Sequence, residues 1–519
     1  MAHLATLDYV AIAAYFIVTA LIGWWSARGD TTAEDLFLAG RTLGPVAVGF
    51  SLYAANVSSD TLIGLPGAAY STGISVANYE WMAGLVLIFT AVFVLPVILR
   101  AGVTTMPELM ERRFDARLRK YLSAVTLFLS VVLDTASSLY AGSIVVMTFI
   151  PGFSLWQMCA LVAAFTAIYT AVGGLRAVVR TDVMQAVVLL GGSIVLTVLV
   201  FGHFGYSWAA VRASVSPAKL RLLEPLSGPG VPWLGTLIGL PVAGFYYWTM
   251  NQYVIQRQLG ARSFSAAGRA AVIASGLKLF NLFFMVLPGV MAIALLPKLA
   301  HPDAVYPEMV AHFAPVGVTG LIVAGLLAAL MSSVSAILNS AATLITVDFI
   351  QPHWRHLDSR HLARIGRVLT LVIAVLAAAW APMIRDFHGL FAYMQQLFGY
   401  VASPLVAVFL LGLWDRRLGP RAALRGLITG HVFSAVLFVL RQTGVVTIHF
   451  TIIAGVVCAA TVVFTMGWKV VLGARDRLSA GDPRAKVVAR EGLAGLPRDA
   501  VLGAAFILLS TVAMLVVFR

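Results

Sequence analysis

Asn56, Asp60, Glu80, Asp134, Lys278, Ser332, Ser333 and Gln395 all lie inside segments otherwise apolar enough to cross a bilayer. An ionisable side chain at the centre of a membrane helix costs about 2.5–3.5 kcal/mol on insertion scales. Such residues face a bundle interior or a wet cavity, and by default they mark an ion or solute path. A second pattern is Ala328-Ala329-Leu330-Met331-Ser332-Ser333-Val334-Ser335. Ala329, Ser332 and Ser333 stand at i, i+3 and i+4, on one helical face. Two hydroxyls and a carbonyl with a spare lone pair suit a hard monovalent cation, which prefers oxygen. Carbonyls freed at a helix break near Ala54 and Val57 would complete the cage. Taken alone, the serine pair is better explained by hydroxyls bonding back to the carbonyl four residues earlier.

The elements that must position these groups are set by composition. Of 519 residues, 60% are hydrophobic and only 11% charged, against about 25% charged in soluble domains. The chain therefore reads as an all-α polytopic membrane protein. About fourteen spans are predicted, near 6–27, 44–72, 75–99, 121–148, 154–172, 182–203, 232–256, 270–297, 314–348, 366–384, 389–413, 424–440, 449–468 and 499–518. Roughly 28 of the 36 lysines and arginines fall in loops on one side and about 7 on the other. Basic loops stay cytoplasmic, so both termini are expected outside. The formal charge of +14 is thus topological, and nucleic acid is not an expected partner. No basic stretch precedes the first apolar run, so residues 6–27 read as a retained helix. Cys159 and Cys458 fall within predicted spans and supply neither a disulfide framework nor a metal cluster. No HExxH, GxSxG or P-loop pattern occurs, which argues against an enzyme or an ATP-driven pump.

Two spans are interrupted. Segment 44–72 contains Asn56-Val57-Ser58-Ser59-Asp60, then Gly64, Pro66 and Gly67. Ser59 or Asp60 can cap a second half-helix there. Segment 232–256 contains Gly239, Pro241, Gly244 and the run Tyr246-Tyr247-Trp248-Thr249-Met250-Asn251-Gln252. Each opens a set of five spans, and because five is odd the second set is inverted. Broken helices at corresponding positions of two halves point to a site near the midplane. The expected organisation is an extra helix and linker over 1–43, one repeat over 44–203 and an extracellular loop over 204–231. The second repeat follows over 232–413, and three accessory helices over 414–519.

AANVSSDTLIGLPGAAYSTG (54–73), YEW (79–81), GGLRAVVRTD (173–182), YYWTMNQYVIQR (246–257) and LLAALMSSVSAILNSAATLITVD (326–348) resemble the sodium:solute symporter family. The likeness is strongest to its sodium/sugar branch and extends over nearly the whole chain. It implies the leucine-transporter-like five-plus-five inverted repeat. It also implies a sodium site on the carbonyls of Ala54, Val57 and Ala329 and the hydroxyls of Ser332 and Ser333, with Asp182 on the sodium exit path. The sugar contacts carried over are Asn56, Glu80, Lys278 and Gln395, with Tyr247 as an aromatic lid. Acceptor oxygens on Glu80 and the amides, and donors on Lys278 and the amides, suit a polyol.

The chain departs from the sugar branch where Thr61 replaces a glutamine, Ala83 a serine and Asp134 an asparagine in the third repeat helix. Asp134 remains a candidate substrate contact, expected beside Lys278 and Glu80. Ser335 is a candidate for a second sodium, but the next residue is Ala336, so one sodium per sugar is expected. The resemblance implies a sodium-coupled importer of a glucose- or galactose-like monosaccharide. A bacterial inner membrane is the expected location, with sodium, sugar and lipid as partners and no obligate protein partner. Another solute, such as an inositol-like polyol, an amino acid or a vitamin, and a non-transporting sensor are the competing readings.

Overall fold

The computed structural model describes residues 4–27, 41–103, 105–149, 152–170, 175–296, 299–350, 354, 359–387, 389–479, 482–487 and 495–518. Among these the architecture is nearly all-helical, and helical segments lie over every predicted span. Ten helices are long and apolar enough to cross a membrane. Thr6–Thr19 and Leu155–Ala164 are shorter apolar helices, so the expected count of fourteen is not reached by this criterion. Segments 44–72 and 232–256 fall outside the ten because they are broken.

The first break has a local cause. Helix Pro45–Asn56 begins with proline in its first turn, where a missing N–H costs nothing. It stops at Val57, with φ −81° and ψ 60°. Ser58 is extended, and Ser59–Thr72 then resumes with Asp60 in its first turn, where a carboxylate favours the helix dipole. The second break follows a widened turn over Tyr246–Met250, in which the Asn251 N–H reaches back to the Tyr246 carbonyl at 2.8 Å. Asn251 is extended, with φ −68° and ψ 121°, and Gln252–Leu259 continues beyond it.

Three other helices carry a widened π turn two residues before a proline: Thr90–Val94 before Pro96, Leu282–Val286 before Pro288, and Phe398–Ala402 before Pro404. Proline has no N–H and its ring crowds the carbonyl four residues back, so the preceding turn opens. Each helix bends without ending.

Around the first broken helix the packing is asymmetric. Pro45–Asn56 lies against Leu175–Gly202, Gln252–Leu259 and Phe264–Leu279. Ser59–Thr72 lies against Ala136–Phe149, Leu287–Leu295, Val318–Leu344 and Leu390–Leu397. A short backbone bridge ties the two broken segments, with Leu43 N–H on the Gly260 carbonyl at 3.1 Å and Arg262 N–H on the Leu43 carbonyl at 3.0 Å.

Helix Thr6–Ala27 packs along Val318–Leu344, at a close approach that only glycine allows. A Cβ on Gly320 would sit 2.4 Å from the Asp8 carbonyl oxygen. The Asp8 side chain, 2% exposed, accepts from Gly317 N–H at 2.7 Å and Gly320 N–H at 2.8 Å. Its other oxygen takes Ala5 N–H at 2.9 Å. One carboxylate thus caps its own helix and the one that carries Ala329, Ser332 and Ser333. Asp8→Ala is expected to cost about 0.5–2 kcal/mol, the usual loss of a helix cap, and Asp8→Asn much less. Thermal unfolding in detergent should rank wild type above Asp8→Asn above Asp8→Ala.

Candidate functional site

The last four carbonyls of a helix have no intrahelical partner, and at Asn56 most of them are taken locally. Tyr53 O accepts from Val57 N–H at 2.8 Å. Ala55 O accepts from the Tyr247 hydroxyl at 3.2 Å, and Asn56 O from the Thr61 hydroxyl. That leaves the Ala54 carbonyl without a partner among the described contacts, with Val57 immediately past the helix end. Ala54 and Ala329 are 9% and 4% exposed, and the helix bearing Ala329 packs on Ser59–Thr72. Next to Ala329, the Ala328 carbonyl accepts from Gln185 Nε2 at 3.2 Å. Ser333 and Ser335 are half-buried, while the Ser332 side chain lies outside the described residues.

Beside the break stands a buried polar cluster. Lys278, fully buried on Phe264–Leu279, donates to Glu80 Oε2 at 2.5 Å and to Asn56 Oδ1. Asn281 Nδ2 donates to the same Glu80 oxygen at 2.5 Å, and the Tyr53 hydroxyl donates to Asn281 Oδ1 at 2.7 Å. The ammonium also sits 5.1 Å from the Trp248 ring centroid and 5.8 Å from that of Tyr53, within cation–π range. With Oδ1 bound to lysine, the Asn56 amide has its NH2 as donor, which it shares with the Tyr247 hydroxyl. Glu80 keeps Oε1 as an acceptor. The lysine therefore orients its neighbours as much as it presents itself.

Asn56, Glu80, Tyr247 and Gln395 line one cavity together with Thr61 and the Trp248 ring. Its volume is ≈ 50 Å³, well below the roughly 300–1,000 Å³ of small-molecule pockets. This conformation is closed around the site. A second cavity of ≈ 70 Å³ adjoins it, lined by Ser71, Thr72, Asp303 and His449. Tyr79 and Phe391 line both, edge to face with ring centroids 5.0 Å apart. This aromatic pair is the partition. In the second cavity, burial holds the Asp303 carboxyl above its ordinary value, opposed by bonds from Leu390 N–H and the Tyr140 hydroxyl.

Asp134 is placed differently from the expectation. It does not line the cavity, and the ion-pair partner of Lys278 is Glu80. Asn251 Nδ2, at the second break, donates to Asp134 Oδ2 at 3.4 Å. Asp60, held by the Ser138 hydroxyl at 3.0 and 3.1 Å, is close enough to act on Asp134 electrostatically. The acid sits in the Ser130–Thr135 turn of a neighbouring helix, at the second break.

Asp182 accepts from the Ser51 hydroxyl at 2.9 Å and from Arg257 Nη2 at 3.0 Å. Arg257 is a residue that sequence reasoning missed. It stands one position beyond a predicted span, at the end of the motif over 246–257, where it carried no assigned role. Tyr79 and Asn281 were missed as well, and Thr61 was named only as a departure from the sugar branch. Asn281, three residues after Lys278 in an apolar helix, was the available signal.

A profile of the sodium:solute symporter family matches residues 36–430. A sodium/glucose cotransporter of Vibrio parahaemolyticus is 34% identical over 462 residues, covering 83% of this chain and 85% of the relative. A sodium/mannose cotransporter of Bos taurus is 33% identical, covering 84% and 80%. Sodium/glucose cotransporter 4 of Homo sapiens is 33% identical, covering 82% and 68%. Among solved structures, an outward-open Na+-coupled sialic acid symporter superposes with a TM-score of 0.78 at 21% identity, covering 92% of this chain and 100% of that one. The transporter Mhp1, of the nucleobase-cation-symport-1 family, gives 0.57 at 14%, covering 88% and 100%. These likenesses carry the leucine-transporter-like fold.

The buried ion pair yields a direct expectation. Removing one partner strands a charge, at a typical cost of about 3–5 kcal/mol. Lys278→Met should therefore lower the unfolding temperature in detergent strongly, and Glu80→Gln added to it should recover most of the loss. Equal stability of the single and double variants would mean that the pair carries no such burden.

Proposed function

The chain belongs to the sodium:solute symporter family, and on that premise we propose that it is a sodium-coupled secondary active symporter importing a glucose- or galactose-like monosaccharide. It is a multi-pass membrane transporter and not an enzyme. The observation that carries the solute class is the cavity wall itself: one amide donor, one carboxylate acceptor, a second amide at Gln395 and a tyrosine, backed by a charged lysine. These groups offer both donors and acceptors, as a ring of hydroxyls requires. The sugar cotransporters among its relatives support the same class.

Sodium is the coupling ion and is cargo. Its ligands are the Ala54, Val57 and Ala329 carbonyls and the Ser332 and Ser333 hydroxyls, with Asp182 on the way out. Ser335 is the hydroxyl available to a second ion. The basic loops face the cytoplasm and both termini face outward, in a plasma membrane. A closed cavity partitioned from a second one by Tyr79 and Phe391 supports alternating access, since solute entry requires those rings to part. Tyr247 binds the Ala55 carbonyl at the break, so the aromatic floor and the ion site share one piece of backbone.

A second reading within the class is an inositol-like polyol. The Thr61 hydroxyl is spent on the Asn56 carbonyl, which removes a polar group from the wall. Asp134, which does not line the cavity, is then an acceptor for the Asn251 amide at the second break, and Asp134→Asn should leave the solute profile unchanged.

The deciding experiment is uptake by purified protein in liposomes over a panel of sugars and polyols. Accumulation should require an inward sodium gradient. Ser333→Ala, which removes one of about five oxygens from a desolvated cation, should cost on the order of 1–3 kcal/mol. The sodium needed for half-maximal uptake should rise roughly tenfold to hundredfold. Glu80→Ala and Gln395→Ala should each weaken solute binding while sodium still stabilises the protein against heat. Loss of the sodium response in either, with solute affinity kept, would exchange the two sites.

A further inference from the structure

Ser51, Asp182 and Arg257 come from three helices and form a closed triangle. Besides the two bonds to Asp182, Arg257 Nε donates to the Ser51 hydroxyl at 3.0 Å, and Nη1 donates to the Tyr253 carbonyl. The three side chains belong to residues only 0%, 3% and 3% exposed, respectively. Ser51 lies six residues before Val57 and Arg257 six residues after Asn251, which is about 9 Å from each break at 1.5 Å per residue. In the topology proposed above both lie on the side of the basic loops, so the triangle stands between the two breaks and that face.

The triangle is wired to the site above it. The Tyr253 hydroxyl donates to the Tyr247 hydroxyl at 2.9 Å, and Tyr247 donates to the Ala55 carbonyl. One turn along from Asp182, Gln185 holds the Ala328 carbonyl. Both ends of the proposed ion cage therefore connect to the triangle through side chains. A guanidinium with its donors in a rigid fork satisfies a serine, a carboxylate and a carbonyl at once, whereas lysine has a single ammonium to offer.

We propose that Arg257 is a coupling latch. Its guanidinium joins Asp182 to Ser51 and keeps the route from the breaks to the basic face shut. A sodium ion leaving the cage opens the route by taking the guanidinium's place on the Asp182 carboxylate. One positive charge replaces another there, and Arg257, still bound to the Tyr253 carbonyl, turns toward water. The latch rests on the sodium-coupled reading above. It adds to that reading a reason why ion exit and gate opening are one event.

The test is sodium flux without solute, measured in liposomes beside solute binding at equilibrium. Wild type should show sodium-driven uptake and little solute-free flux; if it shows no sodium-driven uptake, the functional reading itself falls. With that control in place, Arg257→Gln should raise solute-free sodium flux at least tenfold and leave solute affinity within twofold. Arg257→Lys should give an intermediate flux. Arg257→Gln combined with Asp182→Asn should leak no more than Arg257→Gln alone, because the latch is already open. Should Arg257→Gln not fold, as judged by thermal unfolding, Arg257→Lys alone decides. Solute-free flux at the wild-type level in the folded variants, whether or not uptake survives, would overturn the latch and leave sodium coupling standing.

Discussion

A helix broken at membrane depth exposes carbonyls that lipid cannot satisfy, and much of this structure answers that demand. In hydrocarbon, irregular backbone survives only where protein or water meets its polar groups. At Asn56–Ser58 the answers are specific: Val57 N–H, the Tyr247 hydroxyl and the Thr61 hydroxyl each take one carbonyl. The carbonyl they leave at Ala54 is one that the family resemblance assigns to sodium. The break is therefore incomplete by itself, and a cation that accepts oxygen ligands would be the natural remainder.

Charge placement follows from the same scarcity of water. Buried charge is tolerated when paired and hydrogen-bonded, and several interior clusters follow this rule. Glu80 serves Lys278 and Asn281; Asp182 serves Arg257 and Ser51. Nearer one face, Asp348, 2% exposed, takes Arg119 and the Ser123 hydroxyl. Each pair joins helices far apart in sequence, so each also sets their relative position. A polar wall with its own internal partners can stay compact, as around the ≈ 50 Å³ cavity. Solute hydroxyls then compete with existing bonds, which makes selection depend on geometry as well as on polarity.

Helix irregularity supplies the means to move. The widened turns over Tyr246–Met250 and Phe398–Ala402 lie at or beside cavity residues Tyr247, Trp248 and Phe398, and the turn over Ser130–Thr135 carries Asp134. Such turns have fewer regular hydrogen bonds to lose, so they are places where a bundle can flex at low cost. Two helices nearer the end of the sequence differ in this respect. Pro420–Gln442 and Phe450–Leu472 are uninterrupted and pack on one another.

Hydropathy and punctuation in the chain determined the spans, their interruptions near residues 57 and 251 and the all-helical class. Those properties are local. Bilayer thickness sets a length, backbone satisfaction demands helix, and Gly, Pro and Ser mark where it fails. The residue types of the polar wall were legible too, because an isolated Glu80, Lys278 or Gln395 in an apolar run has few innocent explanations. Partner choice was not. Whether Lys278 meets Glu80 or Asp134 depends on how helices 77–89, 116–149 and 264–295 rotate about their axes, and hydropathy is almost blind to rotation in helices buried on most sides. For the same reason Arg257 had no assigned role until the fold set Ser51 and Asp182 against it. Tertiary packing alone decided which polar groups satisfy each other and which are left for a ligand, since a hydrogen bond exists only where two helices bring donor and acceptor within about 3 Å.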